Sequence, residues 1–244
     1  MTAYNNFATL YDRLISDVDY ADLCRNLLNF CKQHGHTPKQ VLDAACGTGS
    51  LTLQLAKSGL DVVAVDISEQ MLNAAREKLS GYDVLLLCQD LCELDLYGTV
   101  DTAFCTLDGL NHITDKRKLK AALKKISLFT EPGGLFIFDV NTEYKHNKVL
   151  ADNTFVIEDD QVYLVWQNEL YEKNKVNINL DFFVRQGEDY KRFCENFDER
   201  AYSHKELSEM LSNAGFDLLS VYDFGDFEKP RKNSQKLIYV AKKK

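Results

Sequence analysis

The chain has 244 residues, 45% of them hydrophobic, enough for one well-packed α/β core with a small embellishment and few for two independent cores. Its 37 acidic residues outnumber its 29 basic ones, and a formal charge of −8 argues against a broad surface for nucleic-acid backbone. No run approaches the ~20 apolar residues that span a bilayer. The first residues lack the basic and apolar regions of a signal peptide, and seven cysteines without a CxxC pair read as reduced small hydrophobes. A soluble, cytoplasmic protein is expected.

In chain order, the stretch from Tyr4 to Cys31 predicts two amphipathic helical pieces, and residues 1–35 are expected to lie as a helical lid over the open edge of a sheet. Short aliphatic runs then alternate with helical patterns, the signature of βαβ units. Strands are predicted at Gln40–Ala45, Asp61–Asp66, Asp83–Cys88, Thr102–Thr106 and Leu135–Val140, all buried on both faces. Helices are predicted at Leu51–Ser58, Glu69–Leu79 and Arg117–Phe129, with Ser68 as an N-cap. Pro132-Gly133-Gly134 supplies a turn into the fifth strand. From about residue 150 to 202 the pattern changes to antiparallel hairpins at Val162–Tyr171, Val176–Arg185 and Tyr190–Tyr202, an insert within a single domain spanning 1–244. A helix from Ser203 to Ala214, opened by a capping box and closed by Gly215, and a final hairpin of Phe216–Tyr222 with Leu237–Ala241 complete the chain.

In an open parallel sheet the ligand sits beyond the carboxyl ends of the strands, where strand order reverses. Asp43 lies near the end of the first strand, and Ala45, Cys46, Gly47 and Gly49 lead through the turn that follows, with two glycines free to approach a ligand closely. The second strand ends in Asp66, where a carboxylate can accept both hydroxyls of an adenosine ribose. The third ends near Asp90, placed to accept the adenine amino group, while Asp43 would face a positively charged end of the ligand. Any single acid at a strand end is equally suited to capping a helix. Thr52 stands where a dinucleotide-binding GxGxxG pattern needs its third glycine, and no Walker lysine follows, so a ligand without pyrophosphate is favoured.

These residues resemble the motifs of the class I S-adenosylmethionine-dependent methyltransferases. Val41 to Gly49 is similar to the family's first motif, Val65-Asp66-Ile67-Ser68 with Met71 to its second, and Gln89-Asp90-Leu91 to its third. The resemblance implies a Rossmann-like α/β fold of seven strands in the order 3-2-1-4-5-7-6 with strand 7 antiparallel, the insert forming an antiparallel lid. It implies S-adenosyl-L-methionine as cofactor, bound by Asp43, Ala45, Cys46, Gly47, Gly49, Asp66, Ile67, Met71, Asp90 and Leu91. Ala45 departs from the glycine that many members carry. The opening Phe7 to Asp12 resembles small bacterial members in which a tyrosine corresponding to Tyr11 closes over the cofactor; Asp12 beside it reads as a helix-surface charge.

Methyl transfer from a sulfonium is an in-line displacement that needs alignment and exclusion of water more than a dedicated base. Candidate residues of the acceptor pocket are Asn111 and His112 after the fourth strand, Asn141 and Tyr144 after the fifth, and Trp166, Arg200 and Tyr202 from the insert. His112 is the candidate base and Arg200 the candidate carboxylate ligand, each with a structural role as the alternative. No metal ligand set is evident. The Pro-Pro-Tyr and Pro-Cys patterns of the family's DNA-modifying members are absent, so a small-molecule N or O acceptor is the leading expectation. An RNA-modifying enzyme, or a regulatory protein that holds S-adenosylmethionine without transferring methyl, are the alternatives.

Overall fold

The computed structural model describes Asp12 and residues 18–244; the first predicted helical piece, Tyr11 included, lies outside the described residues. The second piece is a helix, α1 (Tyr20–Gln33), capped by Asp19, which accepts from the Asp22 amide. Its Leu23, Leu27 and Phe30, at helical spacing, turn one face into the core.

Five strands follow: β1 (Gln40–Ala44), β2 (Asp61–Asp66), β3 (Val84–Cys88), β4 (Val100–Cys105) and β5 (Thr130–Asn141). The helices α2 (Ser50–Lys57), α3 (Glu69–Lys78) and α4 (Lys116–Phe129) come after β1, β2 and β4. A four-stranded antiparallel sheet, β6 (Thr154–Glu158), β7 (Val162–Glu172), β8 (Lys175–Gln186) and β9 (Asp189–Arg200), interrupts the alternation. Helix α5 (His204–Ala214) and the hairpin of β10 (Phe216–Asp223) and β11 (Lys236–Lys243) return the chain to the first sheet. That sheet runs β3-β2-β1-β4-β5-β11-β10, with β11 antiparallel to both neighbours. Numbered within the sheet, this is the expected order 3-2-1-4-5-7-6.

Successive residues of one strand enter opposite cores, as a pleated strand buried on both faces requires. Leu42, Phe136 and Phe138 pack on one side with α4 and α5, while Val41 and Ile137 pack on the other with α1 and α2. Burying such side chains stabilises by about 1.5–3 kcal/mol each. The expectation of two-sided burial fails at β3, where Leu85 is 49% exposed. This strand is the sheet edge, and a single 3₁₀ turn, Leu91–Glu93, stands between it and β4 where a packing helix would be needed to cover it. Strand β5 begins earlier than expected: Thr130 pairs with Val100, Pro132-Gly133-Gly134 bulges outward, and the ladder resumes at Leu135 opposite Thr102. A Cβ on Gly134 would come within 2.4 Å of the Asp101 carbonyl oxygen, so the bulge requires glycine there.

The insert has its own core, in which Val176, Ile178, Leu180, Phe182 and Val184 of β8 alternate inward as their sequence spacing predicts. Its first strand, β6, was not expected as a separate element; it pairs along β7 from Thr154↔Gln167 to Glu158↔Tyr163. A π-helical turn, Lys145–Leu150, links β5 to the insert and places Leu150 in that core. The capping box of α5 is present, with Ser203 and Glu206 bonded reciprocally, and Gly215 closes the helix in the left-handed conformation.

Candidate active site

The turn after β1 is built by three left-handed residues, Ala45 (φ 58°), Gly47 (φ 55°) and Gly49 (φ 74°). The Cys46 amide donates to the Val65 carbonyl at 3.0 Å and the Gly47 amide to Asp66 Oδ2 at 2.8 Å, which ties the turn to the end of β2. The two glycines do different work. A Cβ on Gly47 would meet nothing within 4 Å, so its backbone faces open space, whereas one on Gly49 would come within 3.0 Å of the Ala75 Cβ on α3. Ala45 tolerates its Cβ because glycine stands opposite: a Cβ on Gly109 would lie 3.0 Å from it.

Three carboxylates follow the strand ends as expected, in three different states. Asp43 is buried and accepts from Thr52 Oγ1 at 2.6 Å; burial pushes its carboxyl up to about 7, against the pull of that bond. The threonine that breaks the dinucleotide pattern is thus the partner of the first acid. Asp66 accepts from the amides of Gly47 and Ser68, at 2.8 Å each, and leaves further lone pairs on both oxygens. Asp90 caps the 3₁₀ turn by accepting from the Cys92 amide at 2.8 Å, and that bond holds its carboxyl below the usual range. Ile67 stands beside Asp66 with 69% of its surface exposed, Met71 sits half-buried in the first turn of α3, and Leu91 is buried. Burial pushes the Cys46 thiol far up, so it is no nucleophile.

Asp12 is no free surface charge. Its carboxylate accepts from Thr48 Oγ1 at 2.5 Å and pairs with Lys78 Nζ at 2.9 Å, and Lys78 also donates to Thr48 and Ser50. The residue next to Tyr11 is thereby anchored to the turn after β1.

At the ends of β4 and β5 lies a second polar cluster. Leu107 and Asp108 are both left-handed (φ 53° and 59°), and their amides donate to the two oxygens of buried Asp139 at 2.7 and 2.8 Å. Lys236, at the start of β11, bridges Asp108 (2.8 Å) and Asp139 (3.3 Å). Burial opposes the charge on Lys236, but the two aspartates outweigh it and hold the ammonium charged. Burial likewise works against ionised Asp108, yet Lys236, Lys145 and His112 keep its carboxyl low, while burial raises that of Asp139. Asn141 donates to Asp108 and to buried Glu199 at 2.8 and 2.9 Å and accepts from Lys145. Glu199 also contacts His146 Nε2 at 3.2 Å, whose Nδ1 faces the Asn174 carbonyl.

Among the expected pocket residues, His112 and Asn141 therefore converge at one place, with side chains half-exposed and buried respectively. Asn111 is wholly occupied within the fold: it donates to the carbonyls of Asn141 and Arg200 and accepts from the Asn141 amide. Tyr202 donates to the Ile113 carbonyl, and Arg200 donates to the Thr114 carbonyl while stacking 5.2 Å from the Tyr202 ring centroid. Trp166 donates to Asn168 inside the insert, and Tyr144 is 38% exposed. Asp108, Asp139, Glu199, Lys145 and Lys236 escaped the sequence reading. The one available signal was Asp139, a carboxylate inside an otherwise apolar strand.

Residues 41–134 match a family model described as "Methyltransferase domain". The chain is 34% identical over 244 residues to "Putative methyltransferase YqeM" of Bacillus subtilis (strain 168), covering 98% of this chain and 97% of that protein. It is 37% identical to a crystallised S-adenosylmethionine-dependent methyltransferase from Clostridium acetobutylicum ATCC 824, with a TM-score of 0.91 over 99% of both chains. The chain belongs to the class I S-adenosylmethionine-dependent methyltransferases. CalS10 from Micromonospora echinaspora, an amino pentose methyltransferase solved with S-adenosylmethionine bound, shares the fold at a TM-score of 0.79 and 17% identity, over 100% of this chain and 99% of its own.

S-adenosylmethionine is accordingly the cofactor of this methyltransferase, and the residues present fit it. The open space over Gly47, the exposed apolar Ile67 and the three acids are the kinds of group that an adenosine with a cationic tail requires. No pyrophosphate loop is needed. No helix among the described residues is long and apolar enough to cross a membrane.

Proposed function

We propose that this methyltransferase transfers methyl to a small-molecule N or O acceptor held between the ends of β4 and β5 and the end of β9. The observation that carries the reading is Asn111. By bonding both the end of β5 and Arg200 it fixes the insert directly beside Asp108 and His112, the position from which an acceptor can reach a donor held by the β1 turn. A groove suited to a polynucleotide would instead call for basic side chains free to meet phosphates, and Lys236 here is tied to Asp108 and Asp139.

In this reading Asp66 receives the ribose hydroxyls, Asp90 the adenine amino group, and Ile67, Met71 and Leu91 the adenine faces. Ala45, Cys46, Gly47 and Gly49 supply the close backbone, Asp43 meets the cationic methionine end, and Tyr11 covers the cofactor. S-adenosylmethionine supplies the methyl group on a sulfonium. The chain's part is to orient, to exclude water and to accept any proton the acceptor must lose. Labelled methyl from S-adenosylmethionine, offered to a metabolite extract and to bulk transfer and ribosomal RNA, is expected in the small-molecule fraction. Incorporation into RNA alone would contradict the reading.

A further inference from the structure

We infer that the acceptor is an amine that enters as an ammonium ion, is received by Asp108, Glu199 and His112, and gives its proton to His112 Nε2. The inference rests on the small-molecule reading and names its substrate class. A carboxylate oxygen of Asp108, a ring nitrogen of His112 and a carboxylate oxygen of Glu199 all lie within 4.8 Å of one another, and His112 Nε2 is 4.0 Å from Glu199 Oε1. Each offers a lone pair: both carboxylates act only as acceptors, and neutral His112 accepts through Nε2.

A ligand that fills such a triangle must bring several donors or a positive charge, and the spacing chooses between the two. Acceptors placed around a tetrahedral ammonium at N–H···O distances of ~2.8 Å stand about 4.5 Å apart. Ligands of a divalent transition metal at bond lengths of ~2.1 Å stand only about 3.0–3.5 Å apart. The separation of 4.0 Å between His112 Nε2 and Glu199 Oε1 exceeds the spacing of metal ligands and approaches that around an ammonium. The charges agree: Lys236, 2.8 Å from Asp108, and Lys145, bonded to Asn141 beside it, already place two ammonium groups in the cluster, and a divalent ion would meet twice the repulsion that a monocation does.

The location is independent of this geometry. The loop that carries Asp108 and His112 abuts the cofactor turn, because a Cβ on Gly109 would touch the Ala45 Cβ at 3.0 Å. Asp108 and Glu199 are pinned by Asn141, Lys236 and His146, whereas His112 has a half-exposed side chain whose ring packs on Phe197 at 5.1 Å. The triangle thus combines two fixed anionic acceptors with one accessible base.

An ammonium has no lone pair and cannot attack carbon. Transfer of one N–H proton to His112 Nε2 leaves a neutral amine and an imidazolium. The freed nitrogen pair then forms the N–C bond to the methyl carbon while the C–S bonding pair returns to sulfur, turning the sulfonium into a neutral thioether. The methylated amine departs as an ammonium, and His112 releases its proton to solvent. Two cations become one cation, a neutral thioether and one proton, so charge and atoms balance.

The test pairs binding with turnover. n-Butylamine, ethanolamine, putrescine and glucosamine are titrated into cofactor-free protein while the His112 ring resonances are followed by NMR, with n-butanol and butyrate as controls. The same compounds are offered with S-adenosylmethionine, and release of S-adenosylhomocysteine is measured. Amines are expected to shift the His112 ring and the controls are not, with turnover for at least one amine. His112→Gln, at an accessible site that should leave folding intact, is expected to keep KM within about threefold and lower kcat about 100-fold, the loss shrinking as pH rises toward 10 and water deprotonates the amine. Turnover confined to alcohols or acids would overturn the amine assignment and leave the small-molecule reading standing. So would activity abolished by EDTA and restored by Mg²⁺ or Mn²⁺, or a His112 ring that no amine shifts. Methyl incorporation into RNA alone would remove both.

Discussion

Ala45 holds a left-handed conformation that costs an L-residue roughly 1–2 kcal/mol, and it does so at the turn proposed to receive the cofactor. Ala45→Gly should remove that strain and give back part of it as unfolded-chain entropy, raising stability by up to about 1 kcal/mol in urea titration; a clear loss would mean that the packing of the Ala45 methyl outweighs the strain. Asp43 carries a pH signature. Its folded carboxyl is raised to about 7 against an ordinary value near 4, so the folded state binds more protons between those limits. The stability this contributes is full below about pH 4 and is lost as pH rises through 7. Asp43→Asn, which has no such proton to lose, should therefore gain on the parent protein from pH 5 to pH 8, by up to about 3 kcal/mol. Equal pH profiles for the two proteins would refute the burial argument. Binding a cationic cofactor end beside Asp43 should also release a proton near pH 6.5, seen as a buffer-dependent binding enthalpy that Asp43→Asn abolishes.

At the scale of elements, the insert is held to the sheet by a small number of hydrogen bonds. Asn111→Ala strips partners from the Asn141 amide and from two carbonyls, and should cost about 2–4 kcal/mol of unfolding free energy; a loss under 0.5 kcal/mol would show that Asn111 does not join the two sheets. The elements themselves are largely legible in the sequence, because period-2 and period-3.6 patterns report which face is buried. The alternation along β8, the capping box at Ser203 and the parallel strands of the first half all follow from that rule. What escaped had a non-local cause. Leu85 reads as a core residue but sits at an edge that no helix covers, and β6 is short and largely exposed, made a strand by pairing with β7 rather than by its own pattern. The proposed cofactor side is legible in the sequence since one turn and two strand ends make it up. The acceptor side was not, since Asp108, Asp139, Glu199 and Lys236 come from four separated segments, and only the folded sheet brings a residue of β11 against the loop after β4.

For the whole molecule, the sheet order puts the turn after β1 and the end of β2 beside the polar cluster at the ends of β4 and β5, above the same carboxyl edge where the proposed donor and acceptor would meet. A ligand that binds only the folded chain stabilises it by about 2.7 kcal/mol at a hundred times its Kd, which for a chain of this size is roughly 5–11 °C in Tm. S-adenosylmethionine should produce that shift. The account stands most directly on Asp66, whose oxygens tie the β1 turn to β2 and are assigned the ribose. Calorimetric titration of S-adenosylmethionine into the parent protein and into Asp66→Ala should show affinity falling about ten- to a hundredfold, the effect of losing charged hydrogen bonds worth about 1.5–3 kcal/mol. An unchanged affinity in a folded variant would contradict the account.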